Sequence, residues 1–207
     1  MRLSEKAYSL IKEKVVTLEL PPSAVIDEQL LMEELELGRT PIREALQRLD
    51  AEGLVNVVPR RGTFVSEISI TDLQKIFELR IVLEGLCAGL AAERITRDEL
   101  ENIKLVLSDL DDLHDGNPTA LMIIDKRFHR LLYRAADNEF LTEVSDRLYD
   151  QSLRLWYLVL ARLRDVRHAI EQHHRILEAL EAGDRHEAET LVQAHIVEFQ
   201  ESIKAAL

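Results

Sequence analysis

Hydrophobic positions recur along the chain with two different periods. Over residues 4–18, Ala7, Leu10, Ile11, Val15 and Leu18 fall at helical spacing. Ser4 stands where a cap belongs, and Pro21-Pro22 stops the segment. A short helix is expected over 27–36, with Asp27 as N-cap and Leu30, Leu31 and Leu35 inward. Leu37-Gly38 makes a tight turn into a third helix, Arg39 to Glu52, which turns Ile42, Ala45, Leu46 and Leu49 inward. Pro41 is tolerated in its first turn, where no intrahelical N–H bond is lost, and Gly53 suits a left-handed position just past its end. The period then changes. "LVNVV" and "GTFVS" read as short strands joined by "PRRG", a hairpin with arginines at its tip.

From Ile70 onward the pattern is helical only. Helices are expected at about 72–93, 97–113, 118–136, 139–163, 166–182 and 185–205. Thr71 with Gln74 and Thr96 with Glu99 read as capping boxes. Asn117-Pro118, Asn138, Asp165 and Asp184 after Gly183 mark further starts. The connections are short, so neighbours run antiparallel. The fold class that follows is mainly α. A winged helix-turn-helix over 1–67 precedes an all-α antiparallel six-helix bundle over 68–207, with Glu67–Thr71 as the hinge.

Composition narrows the class. At 46% hydrophobic, 207 residues can bury a sizeable core. No apolar run approaches the roughly 18 residues a bilayer span needs, and "MRLSEKAYSL" is not of signal-peptide type. One cysteine, Cys87, excludes an internal disulfide. A cytoplasmic protein without membrane partners is expected. The formal charge is −12, which argues against general nucleic-acid binding. Residues 38–62 depart from that trend, with five arginines against three acidic residues.

That local excess sits on the third helix and the hairpin. A helix-turn-helix of this layout presents the N-terminal residues of its third helix to base edges in the major groove. Arg39, Thr40 and Arg43 lie on its outward face, and arginine can grip guanine through two hydrogen bonds. Arg60 and Arg61 on the wing would meet phosphate or the minor groove. Exposed arginines on a small amphipathic helix can equally be a solvated face, and periodicity alone does not decide. "RTPIREALQRLDAEGLVNVVPRRGTFV", preceded by "LELPPSAVIDEQLLMEEL", resembles the signature of GntR-type bacterial transcription regulators. The resemblance spans about residues 3–66. It implies that Arg39, Thr40, Arg43, Arg61 and Gly62 occupy DNA-contacting positions. Two positions depart from that pattern. Gly38 stands where the family has serine or threonine, and Gln29 where some members have arginine.

A second anomaly lies in "IIDKRFHRLLY". Asp125 and His129, four residues apart, share a helix face with Leu121, Met122, Phe128 and Leu132. An unpaired buried carboxylate is costly. His195 shares a stripe with Leu191, Val192 and Phe199, and His173 is bracketed by Ala169, Ile170, Ile176, Leu177 and Leu180. His174 points about 100° away, toward Glu171 and Glu178. His114, His168 and His186 sit among polar residues near helix ends. Asp125, His129, His173 and His195 are therefore four inward ligand types from three helices. Such a set suits Zn²⁺, with Ni²⁺, Mn²⁺ and Fe²⁺ also allowed. The competing reading is a hydrogen-bonded core Asp–His pair plus two unrelated core histidines.

"DKRFHRLLYRAADNEFL" and "HHRILEALEAGDRHEAETLVQAHI" resemble the ligand-binding FCD domain of the FadR branch of GntR regulators, over about residues 71–203. Six helices match its VanR-type version. The resemblance implies that Asp125, His129, His173 and His195 hold a metal in the bundle cavity. Arg80 shares a stripe with Leu73, Ile76, Leu83, Cys87 and Leu90. It reads either as an ion-pair partner of Glu84 or as a guanidinium fork for a carboxylate effector. The likeness of "FELRIVLEGLCAGLAAER" to the family supports the fork. Arg154 is the second effector candidate.

These readings converge on a homodimeric regulator that binds a short inverted-repeat operator in double-stranded DNA. It is expected to be a repressor released by a small organic acid at the metal-containing cavity. The alternative is a metal-dependent hydrolase using the Asp/His₃ set. That class leaves the N-terminal module without a role. A di-iron carboxylate bundle needs Glu-x-x-His on two helices, and only Glu171 with His174 has that spacing.

Overall fold

The computed structural model describes residues 2–113, 117–160 and 166–207, apart from the side chains of Ile70 and Val166. The expected cap at Asp165 and the reading of His114 fall outside these residues. The chain divides into two units. One comprises Met1–Leu73 with Asp150–Leu158, the other Gln74–Tyr149 with Val159–Leu207.

In the first unit, α1 (Leu3–Val16) packs against α3 (Arg39–Ala51), with α2 (Glu28–Leu35) alongside α3. Ala7, Ile11 and Val15 of α1 and Ile42, Leu46 and Leu49 of α3 are fully or nearly fully buried. Each of the valine, leucine and isoleucine side chains among them contributes roughly 1.5–3 kcal/mol by leaving water. The expected cap at Ser4 is displaced. The helix starts after Arg2, and it ends at Thr17, ahead of Pro21-Pro22, because Leu18 turns left-handed at φ 63°. Asp27 does cap α2, accepting from the amides of Gln29 and Leu30. Only Leu31 of the three expected inward leucines is buried there, while Leu30 is 61% exposed. Eight residues present a single narrow stripe to α3. Leu10, expected inward on α1, is also exposed.

The hairpin is present as β2 (Val55–Val58) and β3 (Gly62–Val65). A third strand, β1 (Val25–Ile26), pairs with the far edge of β3 and gives the antiparallel order β1-β3-β2. Two residues are too short to show a period, so the sequence offered no sign of β1. Residues Asp150–Leu158 join this unit through polar contacts. Asp150 lies 2.7 Å from Lys12 Nζ, Gln151 Nε2 donates to the Glu52 carbonyl, and Arg154 donates to the Ser66 carbonyl.

The second unit is helical among the described residues. Its helices are α4 (Ile70–Arg94), α5 (Arg97–Asp112), α6 (Pro118–Ala135), α7 (Glu139–Val159), α8 (Val166–Glu171), α9 (His173–Ala182) and α10 (Arg185–Ala206). The first residues of α4 and the last of α7 belong to the first unit. The expected Thr71–Gln74 box does not form. α4 begins two residues earlier, at Ile70, and Ser69 Oγ accepts from the Asp72 amide instead. The non-helical connection before α4 is accordingly shorter than the Glu67–Thr71 hinge read from sequence. Thr96 and Glu99 form a complete capping box, Asn117 and Asn138 cap α6 and α7, and Asp184 caps α10. Gly183 takes φ 66° at the end of α9, a left-handed conformation that costs a glycine little.

The helix expected over 166–182 is two helices. The chain turns at Gln172 between α8 and α9. Phe128, Leu132, Tyr133, Ile103, Leu107, Leu110, Ile176, Leu180, Val192 and Ile196 form the apolar interior around which this unit closes. Replacing Thr96 by Ala should remove one half of the capping box and lower the stability of this unit by about 1 kcal/mol. Chemical denaturation followed by circular dichroism measures it. An unchanged midpoint would show that the box contributes nothing.

Candidate metal centre and nucleic-acid interface

Asp125 and His129 stand one turn apart on the inner face of α6. His173 is the first residue of α9, and His195 lies on the buried stripe of α10. All four are buried, His173 completely. One ligand atom from each lies within 4.8 Å of all the others. His173 Nε2 is 3.3 Å from His195 Nε2 and 3.5 Å from Asp125 Oδ1. His129 Nε2 is 3.6 Å from the same carboxylate oxygen. Bonds of about 2.0–2.2 Å to one ion place tetrahedral donors about 3.4 Å apart. The spacing of these atoms fits that requirement.

The outward atoms of the same side chains are largely engaged. Tyr149 donates to Asp125 Oδ2 at 2.6 Å, leaving Oδ1 toward the histidines. His195 Nδ1 is 3.1 Å from Gln172 Oε1. His129 Nδ1 is 2.9 Å from Glu84 Oε2, although misaligned for a regular hydrogen bond. The His173 ring stacks on Phe128 at 4.0 Å, and its Nδ1 has no hydrogen-bond partner among the described residues. Burial, reinforced by the neighbouring histidines, holds His173 well below the usual imidazole range. Burial likewise lowers His195, with His129 adding to it, to about 4 despite Asp125 and Glu84. Both shifts favour the neutral ring, the form that binds metal.

His174 is half-exposed, with Nε2 3.5 Å from Asp111. His168 and His186 are exposed.

Arg80 is buried, and its Nε lies 2.5 Å from Glu84 Oε1. Its guanidinium also lies 5.1 Å from the centre of the Tyr149 ring. Burial alone would raise the Glu84 carboxyl, but Arg80 and His129 hold it at about 2. Glu84 thus connects the guanidinium to a histidine of the cluster. Arg154 falls in the other unit, where its guanidinium is buried against the Ser66 carbonyl. Burial lowers its pKa to about 10. Glu84 was recognisable beforehand only as a partner for Arg80. Tyr149 and Gln172 carried no sequence signal, because neither stands in a spaced pair on the helix of the ligand it touches.

In the first unit, Arg39, Thr40 and Arg43 are exposed at the start of α3. Gly38 precedes them without a side-chain cap, as expected of glycine. Arg43 Nε donates to Glu28 at 2.8 Å. Arg61 N donates to the Val58 carbonyl and closes a turn in which Pro59 is followed by Arg60 at φ 63°. Gly62 follows at φ 110° with open space around it, so backbone conformation alone selects glycine there. Arg43, Gln47, Val57, Arg60 and Gly62 line a groove of about 310 Å³ between α3 and the wing. Arg48 is engaged elsewhere, over the Tyr8 ring and against Glu5 and Glu52.

Comparison with known proteins bears on both units. Residues 3–65 match the family of bacterial regulatory proteins named gntR, and residues 75–198 match the FCD domain. The Nta operon transcriptional regulator of Aminobacter aminovorans is 30% identical over 84% of this chain and 82% of its own length. Among solved structures, Escherichia coli McbR/YncC superposes with a TM-score of 0.89 at 22% identity, covering 99% of this chain and 98% of that one. A metal-free FCD domain of TM0439 superposes with a TM-score of 0.54 at 21% identity, over 66% of this chain and 94% of that one. The two structural likenesses are likenesses of fold. The family matches displace the hydrolase alternative. The chain belongs to the GntR family with an FCD domain behind its winged module, and it is a DNA-binding transcription regulator rather than an enzyme.

Proposed function

We propose that this regulator is a homodimeric repressor, released from an inverted-repeat operator by a small organic acid bound at a metal in the FCD domain. The observation that carries this reading is the convergence of Asp125, His129, His173 and His195 within 4.8 Å in a buried setting. Zn²⁺ fits the donor set best, and Ni²⁺, Mn²⁺ and Fe²⁺ are accommodated by the same atoms. When bound, the ion supplies a Lewis-acidic position for an anion. The charges favour one: Arg80 and Glu84 cancel, and a divalent ion with Asp125 leaves a net charge near +1. Arg80 is already shared with Glu84, so an incoming carboxylate competes with that side chain or bridges to it. Arg154 was the other effector candidate. Its engagement with Ser66 leaves Arg80 to carry that role.

Arg39, Thr40 and Arg43 read the major groove, with Arg61 and Gly62 on the flanking wing. The pairing of Arg43 with Glu28 pre-orients the guanidinium in free protein and is given up on DNA. A protein acting on the chromosome in this way works in the cytoplasm, and no helix among the described residues is long and apolar enough to cross a membrane.

Replacing Arg43 by Ala should weaken specific operator binding by about 10- to 100-fold and leave the thermal unfolding of the second unit unchanged. A gel shift showing undiminished affinity would remove α3 from the role of reader.

An effector can release DNA only if it favours the DNA-free arrangement. Small mono- and dicarboxylic acids titrated against the operator complex should therefore release metal-loaded wild-type protein. Chelator-treated protein and the His173→Ala variant should need roughly 5- to 150-fold more acid, the usual range of such coupling. Release by an uncharged sugar that is indifferent to chelation would contradict the mechanism.

A further inference from the structure

Gln172 occupies the turn that divides α8 from α9, immediately before His173. Its side chain is half-buried and faces two residues one turn apart on α10. Nε2 donates to Glu198 Oε2 at 2.7 Å, and Oε1 lies 3.1 Å from His195 Nδ1. A carboxylate can only accept from the amide. Glu198 therefore takes the NH₂ end and turns the carbonyl end toward His195. A carbonyl oxygen facing Nδ1 requires the proton on that nitrogen. Nε2 of His195 is then a lone pair, and it is the atom that meets His173 Nε2.

We infer that Gln172 is a positioning residue for the metal: it fixes the tautomer and ring direction of His195, and Glu198 fixes Gln172 in turn. This rests on the metal reading above. Glu84 stands in the corresponding place behind His129, and Tyr149 behind Asp125. Each of these three ligands has its own partner outside the cluster. Such outer partners commonly change metal affinity by about 10- to 100-fold. Gln172 is the member best suited to test. It lies near the surface, whereas Glu84 is fully buried in an ion pair with the buried Arg80.

The experiment uses the full chain loaded with Zn²⁺ and competed with a chromogenic chelator. Gln172→Leu keeps the bulk and removes the amide. It should bind Zn²⁺ about 10- to 100-fold more weakly than wild type. Glu198→Ala should cause a smaller loss, and none beyond that of Gln172→Leu when the two are combined. ¹⁵N spectra of the metal-free proteins supply a readout that a merely structural role would not move. Wild-type His195 should show the Nδ1–H tautomer, and Gln172→Leu a mixture. If wild type binds Zn²⁺ and Gln172→Leu binds equally tightly with an unchanged tautomer, the inference is overturned. If wild type itself fails to bind, the metal reading falls, and this inference with it.

Discussion

The FCD domain is organised around the need to compensate buried charge. Asp125, Glu84 and Arg80 are all buried in an otherwise apolar interior. An isolated ion in such a place costs several kcal/mol even after relaxation. Arg80 and Glu84 answer each other directly. Asp125 accepts from the Tyr149 hydroxyl on one oxygen, and the His129 and His173 rings face the other. A divalent cation held between those groups, as proposed above, would supply further compensation, and α6, α9 and α10 each present a ligand-type side chain to that point.

That constraint shapes the local architecture. Four donors must meet within a few ångströms, so their helices must be held in register by the packing beneath them. Phe128 stacks on His173 and lies in the same interior as Leu132 and Ile176. The turn at Gln172 starts a new helix at His173, and the same residue reaches back to His195. In the winged module the constraint is different. An acidic protein can approach DNA where its cations locally outnumber its acids, as they do over residues 38–62. Arg39, Arg43, Arg60 and Arg61 are exposed there, while Arg48 is spent on Tyr8, Glu5 and Glu52.

Periodicity made most of this visible in advance. The spacing of Asp125 and His129 placed both on one face, and the apolar brackets around His173 set it apart from His174. The capping box at Thr96 and the glycine at 183 were legible because each has a fixed backbone requirement. What escaped lacked a period or depended on contacts between distant segments. β1 is two residues long, and the turn at Gln172 lies inside an unbroken helical pattern. The addition of Asp150–Leu158 to the first unit depends on Lys12 and on the carbonyls of Glu52 and Ser66. A carbonyl acceptor leaves no trace in sequence. Arg80 shows the same limit: its stripe announced burial, but only the folded chain shows Glu84 shared between it and His129.

The central claim is that the buried cluster closes around one metal ion. X-ray absorption at the zinc edge, on full-length protein loaded with one equivalent of Zn²⁺, tests it most directly. An Asp/His₃ site gives a first shell of nitrogen and oxygen only, at about 2.0–2.2 Å, with the outer-shell scattering of three imidazoles. A sulfur at about 2.3 Å, a shell of water oxygens without imidazole scattering, or failure to retain the ion would contradict it.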